Sequence, residues 1–171
     1  MKLICIDPGI SGALVIYDVH SKDITHFSCP STIADMAQLI YGTGGPVIVA
    51  IEKVHCGLMS RIANFKLGQN FGEWRGICAA LKIRLFEVTP QAWQKEFRGE
   101  GEERGWIQKR PRNSPVVKNP LNIKEVVWRL VHDQFPTVFG DQKKFIMNRS
   151  HVSDACGILV WALRNIPDIH V

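Results

Sequence analysis

The chain has 171 residues, 46% hydrophobic and 22% charged, a balance that fits one domain burying about 70% of its unfolded surface. Lysine and arginine number 21 against 16 aspartates and glutamates, a mild basic excess that suits an anionic partner without requiring one. No apolar run approaches the ~20 residues of a membrane span, and five cysteines without a Cys-x-x-Cys pair argue against a zinc site or disulfide framework. The first strand is expected from Lys2 or Leu3, which leaves no room for a signal or transit peptide. A single cytoplasmic domain over 1–171 is therefore expected.

Residues 2–7 and 12–18 read as two strands joined by a turn over Pro8–Gly12, and 23–29 as a third after a turn at Ser21–Asp23. "STIADMAQLIYG" carries a Ser/Thr start, apolar residues at Ile33, Met36, Ala37 and Ile40, and a glycine stop at Gly42, which predicts a helix. "PVIVAIE" (46–52) is a continuous apolar run ending in Glu52, as expected of a strand buried on both faces. A long helix is predicted from Ser60 to Lys82, with Leu67, Phe71, Trp74, Cys78 and Leu81 as its apolar stripe.

That helix also carries Gly68, Gly72, Gly76 and Ala80, a small residue at every fourth position. Three mid-helix glycines cost about 3 kcal/mol relative to alanine, so a closely packed second helix is expected against this ridge. The partner helix can be internal or belong to a second subunit. "RLFEV" (84–88) reads as a fifth strand and "TPQAWQKEF" (89–97) as a short helix with Thr89 as N-cap and Pro90 at N1. Residues 98–120, rich in glycine, proline and mixed charge, read as a long exposed loop. Asn119 or Asn122 then caps a helix with Ile123, Val126, Val127, Leu130 and Val131 on one face, and a last helix runs from His151 to about Arg164. The order predicts an α/β fold: a five-stranded mixed sheet, three antiparallel strands then two parallel ones, flanked by helices.

Asp7 and Glu52 both end apolar strands, and strands 1 and 4 of such a sheet can be neighbours. Asp154 lies in the first turn of the last helix, and His151, three residues earlier, shares its face. Carboxylates and an imidazole gathered this closely repel unless they hold divalent cations. Mg²⁺ prefers carboxylate oxygens and also binds phosphate. Two such ions about 4 Å apart suit an in-line phosphoryl displacement.

Four blocks in register, "CIDPGISGALVIYD", "VAIEKV", "KLGQNFGEWRGICAAL" and "SHVSDACGILVWAL", resemble the RuvC-type Holliday junction resolvases of the ribonuclease H-like superfamily. The resemblance spans nearly the whole chain outside 98–120. It implies a ribonuclease H-like fold and a homodimeric crossover junction endodeoxyribonuclease, cutting opposed strands of a four-way DNA junction in recombination, repair or replication. It places Asp7, Glu52 and Asp154 as metal-binding carboxylates and His151 where members carry Asp or His. Two Mg²⁺ ions per site are implied, for which Mn²⁺ can substitute. It also matches Lys124 to a functional lysine near the start of the helix after the loop. A cation there opposes the helix dipole, so a role with phosphate or the attacking water is expected.

Two departures stand out. Bacterial members have a junction-wedging aromatic residue soon after the glutamate, where this chain has His55. The 98–120 stretch exceeds the matching family segment, which fits a phage or viral member better than a bacterial housekeeping one. DNA contacts are expected from Arg61, Lys66 and Arg75 on the long helix and from Trp106, Lys109, Arg110, Arg112 and Lys118 in the loop, where basic residues interleave with an aromatic.

Each assignment has a plainer counterpart. Asp7 is also good turn chemistry, His151 an ordinary helix residue, and the basic residues a solvated surface. A rival nuclease reading is a same-fold enzyme acting on flaps, forks or RNA–DNA hybrid. A third is a junction-binding protein without activity. A rival from another class is an actin- or sugar-kinase-like ATP-binding domain, which also opens with Asp-x-Gly. The chain holds a single copy where those proteins need two.

Overall fold

The computed structural model describes residues 1–55, 57, 60–107, 120–139 and 151–169. Five strands form one sheet: β1 (Lys2–Asp7), β2 (Ala13–Asp18), β3 (Ile24–Ser28), β4 (Val47–Glu52) and β5 (Arg84–Val88), in the order β3-β2-β1-β4-β5. β1 pairs with β2, and β2 with β3, antiparallel; β1–β4 and β4–β5 are parallel. This is the three-plus-two mixed sheet expected from the sequence.

β1 and β4 are apolar at consecutive positions because both faces are covered. Leu3, Cys5 and Ala50 point into one core with Trp93, Phe97, Val127, Ile158 and Leu159. Ile4, Ile6, Val49 and Ile51 point into the other with Met36, Trp74 and Cys78. Side chains alternate across a strand, so one apolar run serves two layers.

The second of those layers is built by α1 (Ile33–Gly42) and α2 (Arg61–Ala80). Thr32 caps α1 by accepting from Asp35 N–H, and Ser60 caps α2 by accepting from Ala63 N–H. The first layer is built by α3 (Pro90–Glu103), α4 (Ile123–Gln134) and α6 (His151–Asn165), with a single-turn α5 (Pro136–Phe139) between the last two. Asn122, one of the two expected caps, accepts from Glu125 N–H and starts α4. α6 packs against β1, β2 and α4, which brings its first turn toward the end of β1.

The structure departs from expectation in one place and narrows it in another. First, α3 runs six residues past Phe97, through Gly99 and Gly101, to Glu103. Its end is a Schellman motif around Gly105 at φ +69°: Gly105 N–H donates to Glu102 O (3.2 Å) and Trp106 N–H to Gly101 O (2.8 Å). Gly101 is an interior contact, because a Cβ there would lie 2.9 Å from side-chain atoms of Ile107 and Val126. Composition alone reads such glycines as breakers; packing on α4 keeps the helix going. Ile107 is buried, so residues 98–107 are not an exposed loop; 108–119 lie outside the described residues.

Second, among the described residues the glycine ridge of α2 has no internal partner, which favours the second-subunit alternative. A Cβ added to Gly68, Gly72 or Gly76 would meet no described atom of this chain within 4 Å. α2 packs through Trp74, Ile77 and Cys78 instead. Ile62 and Phe65 stand 70% and 73% exposed on the ridge side of the helix.

The turn between β1 and β2 is closely packed against its own backbone. Gly9 has φ +125°, and Gly12 N–H donates to Gly9 O at 3.0 Å. A Cβ on Gly12 would fall 2.1 Å from the carbonyl oxygen of Asp7 and 2.9 Å from the carbonyl carbon of Pro8. Backbone atoms cannot swing aside as a side chain can. Gly12→Ala is expected to cost about 3 kcal/mol or more of stability, read from the urea midpoint.

Candidate metal centre

β1 and β4 are parallel and in register up to Ile6 opposite Ile51, so Asp7 and Glu52 follow side by side where the two strands end. The first turn of α6 adds His151 and Asp154. Asp154 sits at 5% side-chain exposure, and its negative charge is favoured by the helix N-terminus. One ligand atom each from Asp7, His151 and Asp154 lies within 4.8 Å of the others. His151 Nδ1 stands 2.8 Å from Asp7 Oδ2, and Lys124 Nζ donates to Asp154 Oδ2 at 2.7 Å.

Glu52 belongs to the same end of the sheet but is held differently. Its Oε2 accepts the indole N–H of Trp93 at 2.9 Å, and it lies outside the 4.8 Å group. Burial, then the neighbouring charge of Asp7, push its carboxyl up to about 7 from an ordinary 4.5. Burial likewise raises Asp154, outweighing the downward pull of Lys124. The hydrogen bond to Asp7 raises His151 against the opposing effect of burial. For Lys124 burial works downward, but Asp154 more than compensates, and the ammonium is stabilised.

A divalent cation fits these residues. The donors are hard oxygens and an imidazole. Asp154 Oδ1 is buried with no hydrogen-bond partner among the described residues, an acceptor already desolvated and left open. Asp7, Asp154 and His151 would hold the cation, with Glu52 beside them.

Two further residues fix the strand-to-turn geometry. Asn70 of α2, 8% exposed, accepts the Gly9 N–H at 3.0 Å. The Cys29 thiol donates to the Asp7 carbonyl at 3.3 Å, and burial pushes that thiol up to about 12, keeping it a neutral donor. An asparagine one turn from Leu67 and Trp74 on an apolar stripe was the available sequence signal for Asn70. Trp93 carried no such signal until the sheet order placed β5 beside β4.

The expected DNA-contact residues are dispersed. Arg61 and Lys66 are exposed on α2, and Lys66 lines a cavity of about 290 Å³ with Ile10, Cys29 and Ser31. Arg75 is also exposed but bound to Glu87 at 2.8 Å. Trp106 is half-buried, and the guanidinium groups of Arg104 and Arg129 stand over its ring at 5.0 and 5.3 Å. Its ring is therefore engaged within the fold. His55 is exposed beyond β4. Lys109, Arg110, Arg112 and Lys118 lie outside the described residues. Among the described residues no helix is long and apolar enough to cross a membrane.

The sheet order and the helices on both faces define a ribonuclease H-like fold. Among solved structures, the chain matches Thermus thermophilus RuvC: 13% identity, TM-score 0.58, 96% of each chain covered. A second T. thermophilus RuvC structure, in complex with a Holliday junction substrate, matches at 12% identity and TM-score 0.57, over 96% of this chain and 95% of that one. No protein-family model and no curated protein sequence matches the chain.

In the metal-free protein Glu52, Asp154 and His151 all take up protons more readily folded than unfolded. Groups with raised values stabilise the fold fully below their unfolded value and lose that contribution as pH rises through the folded one. For Glu52 the window runs from 4.5 to about 7. The melting temperature of metal-free protein is expected to fall between about pH 5 and pH 8, and saturating Mn²⁺ to abolish that fall, as checked by calorimetry.

Proposed function

We propose that the protein is a divalent-metal-dependent endodeoxyribonuclease that resolves four-way DNA junctions by paired phosphodiester hydrolysis. The observation that carries this is the Asp7–His151–Asp154 cluster, with Glu52 beside it, at the ends of the adjacent parallel strands β1 and β4. The RuvC fold, found in a neighbour solved with a Holliday junction, supports a branched DNA substrate.

When bound, Mg²⁺ or Mn²⁺ supplies Lewis acidity toward a phosphate oxygen and a water activated near neutral pH. The chain's own residues do the rest. Asp7, Glu52 and Asp154 would bring the negative charge that holds the ions. His151, oriented by Asp7, completes a site. Lys124, on the same cluster through Asp154, offers a cation for the negative charge that grows on the phosphate. Arg61, Lys66 and the basic residues at 109–118 neutralise the backbone of the DNA arms.

The protein acts as a homodimer, because cuts in opposed strands of a symmetric junction need two sites related by a two-fold axis. The unpartnered face of α2 supports this. Ile62, Phe65, Gly68, Gly72, Gly76 and Ala79 are all exposed there, with Arg61 one turn before Phe65 on the same face. Gly72→Arg is expected to convert the dimer to a monomer in analytical ultracentrifugation, with helical content by circular dichroism unchanged.

Cleavage of a synthetic four-way junction with Mg²⁺ or Mn²⁺ is expected, in preference to a nicked fork, a flap or an RNA–DNA hybrid. Asp7→Asn and Asp154→Asn are each expected to lower the rate more than roughly 100-fold while junction binding is retained. Wild-type cutting by both variants defeats the assignment. ATP hydrolysis by the purified protein without junction cleavage revives the kinase-like alternative.

A further inference from the structure

Trp93 is the least exposed tryptophan of the helical layer that covers α6, and its one polar atom is spent on Glu52. It lies one turn into α3, right after β5, whose last residue Val88 pairs with Glu52. Thr89 caps that helix, with Pro90 in its first turn, so the turn that carries the indole is set by local sequence. The ring is 1% exposed and meets Phe97 edge to face at 6.2 Å. On its other neighbour, α6, a Cβ on Gly157 would lie 2.7 and 2.9 Å from ring carbons of Trp93. Gly157 is one turn beyond Asp154. The helix that presents Asp154 to the cluster therefore also receives the indole that holds Glu52.

From this geometry we infer that Trp93 is a positioning residue for Glu52, setting the carboxylate for metal binding by a neutral hydrogen bond seated against Gly157. The inference rests on the reading of Glu52 as a metal ligand and adds what orients it. A free glutamate side chain has several rotors to immobilise when a cation arrives. A donor bound to Oε2 immobilises them beforehand and leaves the negative charge intact. Asp7 and Asp154 are instead met by His151 and Lys124, which are cations or can become so and which an incoming metal must outcompete. An indole N–H cannot compete in that way. Outer partners that orient metal ligands typically contribute 10- to 100-fold in affinity.

The test uses the full chain and Mn²⁺ as the probe, titrated calorimetrically. Trp93→Phe keeps an aromatic ring and removes the donor. Replacement of Trp93 by 3-benzothienylalanine keeps the bicycle and exchanges only N–H for sulfur, so it holds the packing if phenylalanine does not. Both variants are expected to bind Mn²⁺ roughly 10- to 100-fold more weakly. Metal-free circular dichroism of the benzothienyl variant should match wild type, showing an intact fold, and junction cleavage should recover as Mn²⁺ is raised. Wild-type Mn²⁺ affinity in the benzothienyl variant overturns the inference. Glu52→Gln runs beside them. If it too binds Mn²⁺ as wild type does, the assignment of Glu52 as a ligand fails. If it is weakened while the Trp93 variants are not, only the role of Trp93 falls.

Discussion

Three carboxylates brought to one end of a sheet repel one another, and the rest of the site is arranged around that repulsion. Asp154 is buried to 5% exposure and Asp7 to 14%, where the loss of water makes the repulsion costly. Each carboxylate has its own answer. Asp154 has the ammonium of Lys124, Asp7 the imidazole of His151, and Glu52 the indole of Trp93. The last is the one without charge, and Glu52 is the carboxylate pushed up to about 7. In the absence of metal the cluster is held by protons and a lysine. The cation-binding reading follows from the same facts, since divalent cations would relieve this repulsion.

The scaffold serves this by rigidity at few points. The alternation of β1 gives each face of the sheet its own core, so Asp7 stands at the end of a strand that is clamped from both sides. Gly9, Gly12, Asn70 and Cys29 then fix the turn that follows it. Their hydrogen bonds run to backbone atoms or to one another. They decide where the Asp7 carboxylate begins, as Trp93 and Gly157 bear on where the Glu52 carboxylate ends.

Much of this was legible in the sequence, for identifiable reasons. Asp7 and Glu52 each close an apolar run, and His151 and Asp154 are spaced for one helix face, so strand ends and helix periodicity sufficed to nominate them. The five strands were legible because their runs are short, apolar and bounded by turns. What failed was whatever depends on contacts distant in sequence. Gly99 and Gly101 read as helix breakers, because nothing local says that α4 packs on Gly101. The glycine ridge of α2 leaves an internal and an intersubunit partner equally open, because sequence period does not distinguish a face turned to the core from one turned outward. Trp93 went unnoticed since its partner lies 41 residues away on another strand.

The raised carboxyl of Glu52 and the His151–Asp7 contact also make the site a source of acid. Ligands that carry protons near neutral pH must give them up when a metal takes their place. Each filling event would therefore discharge protons into the surroundings in a number that varies with pH. The heat of metal uptake would then change with the ionisation enthalpy of the buffer chosen, even though no buffer molecule enters the site.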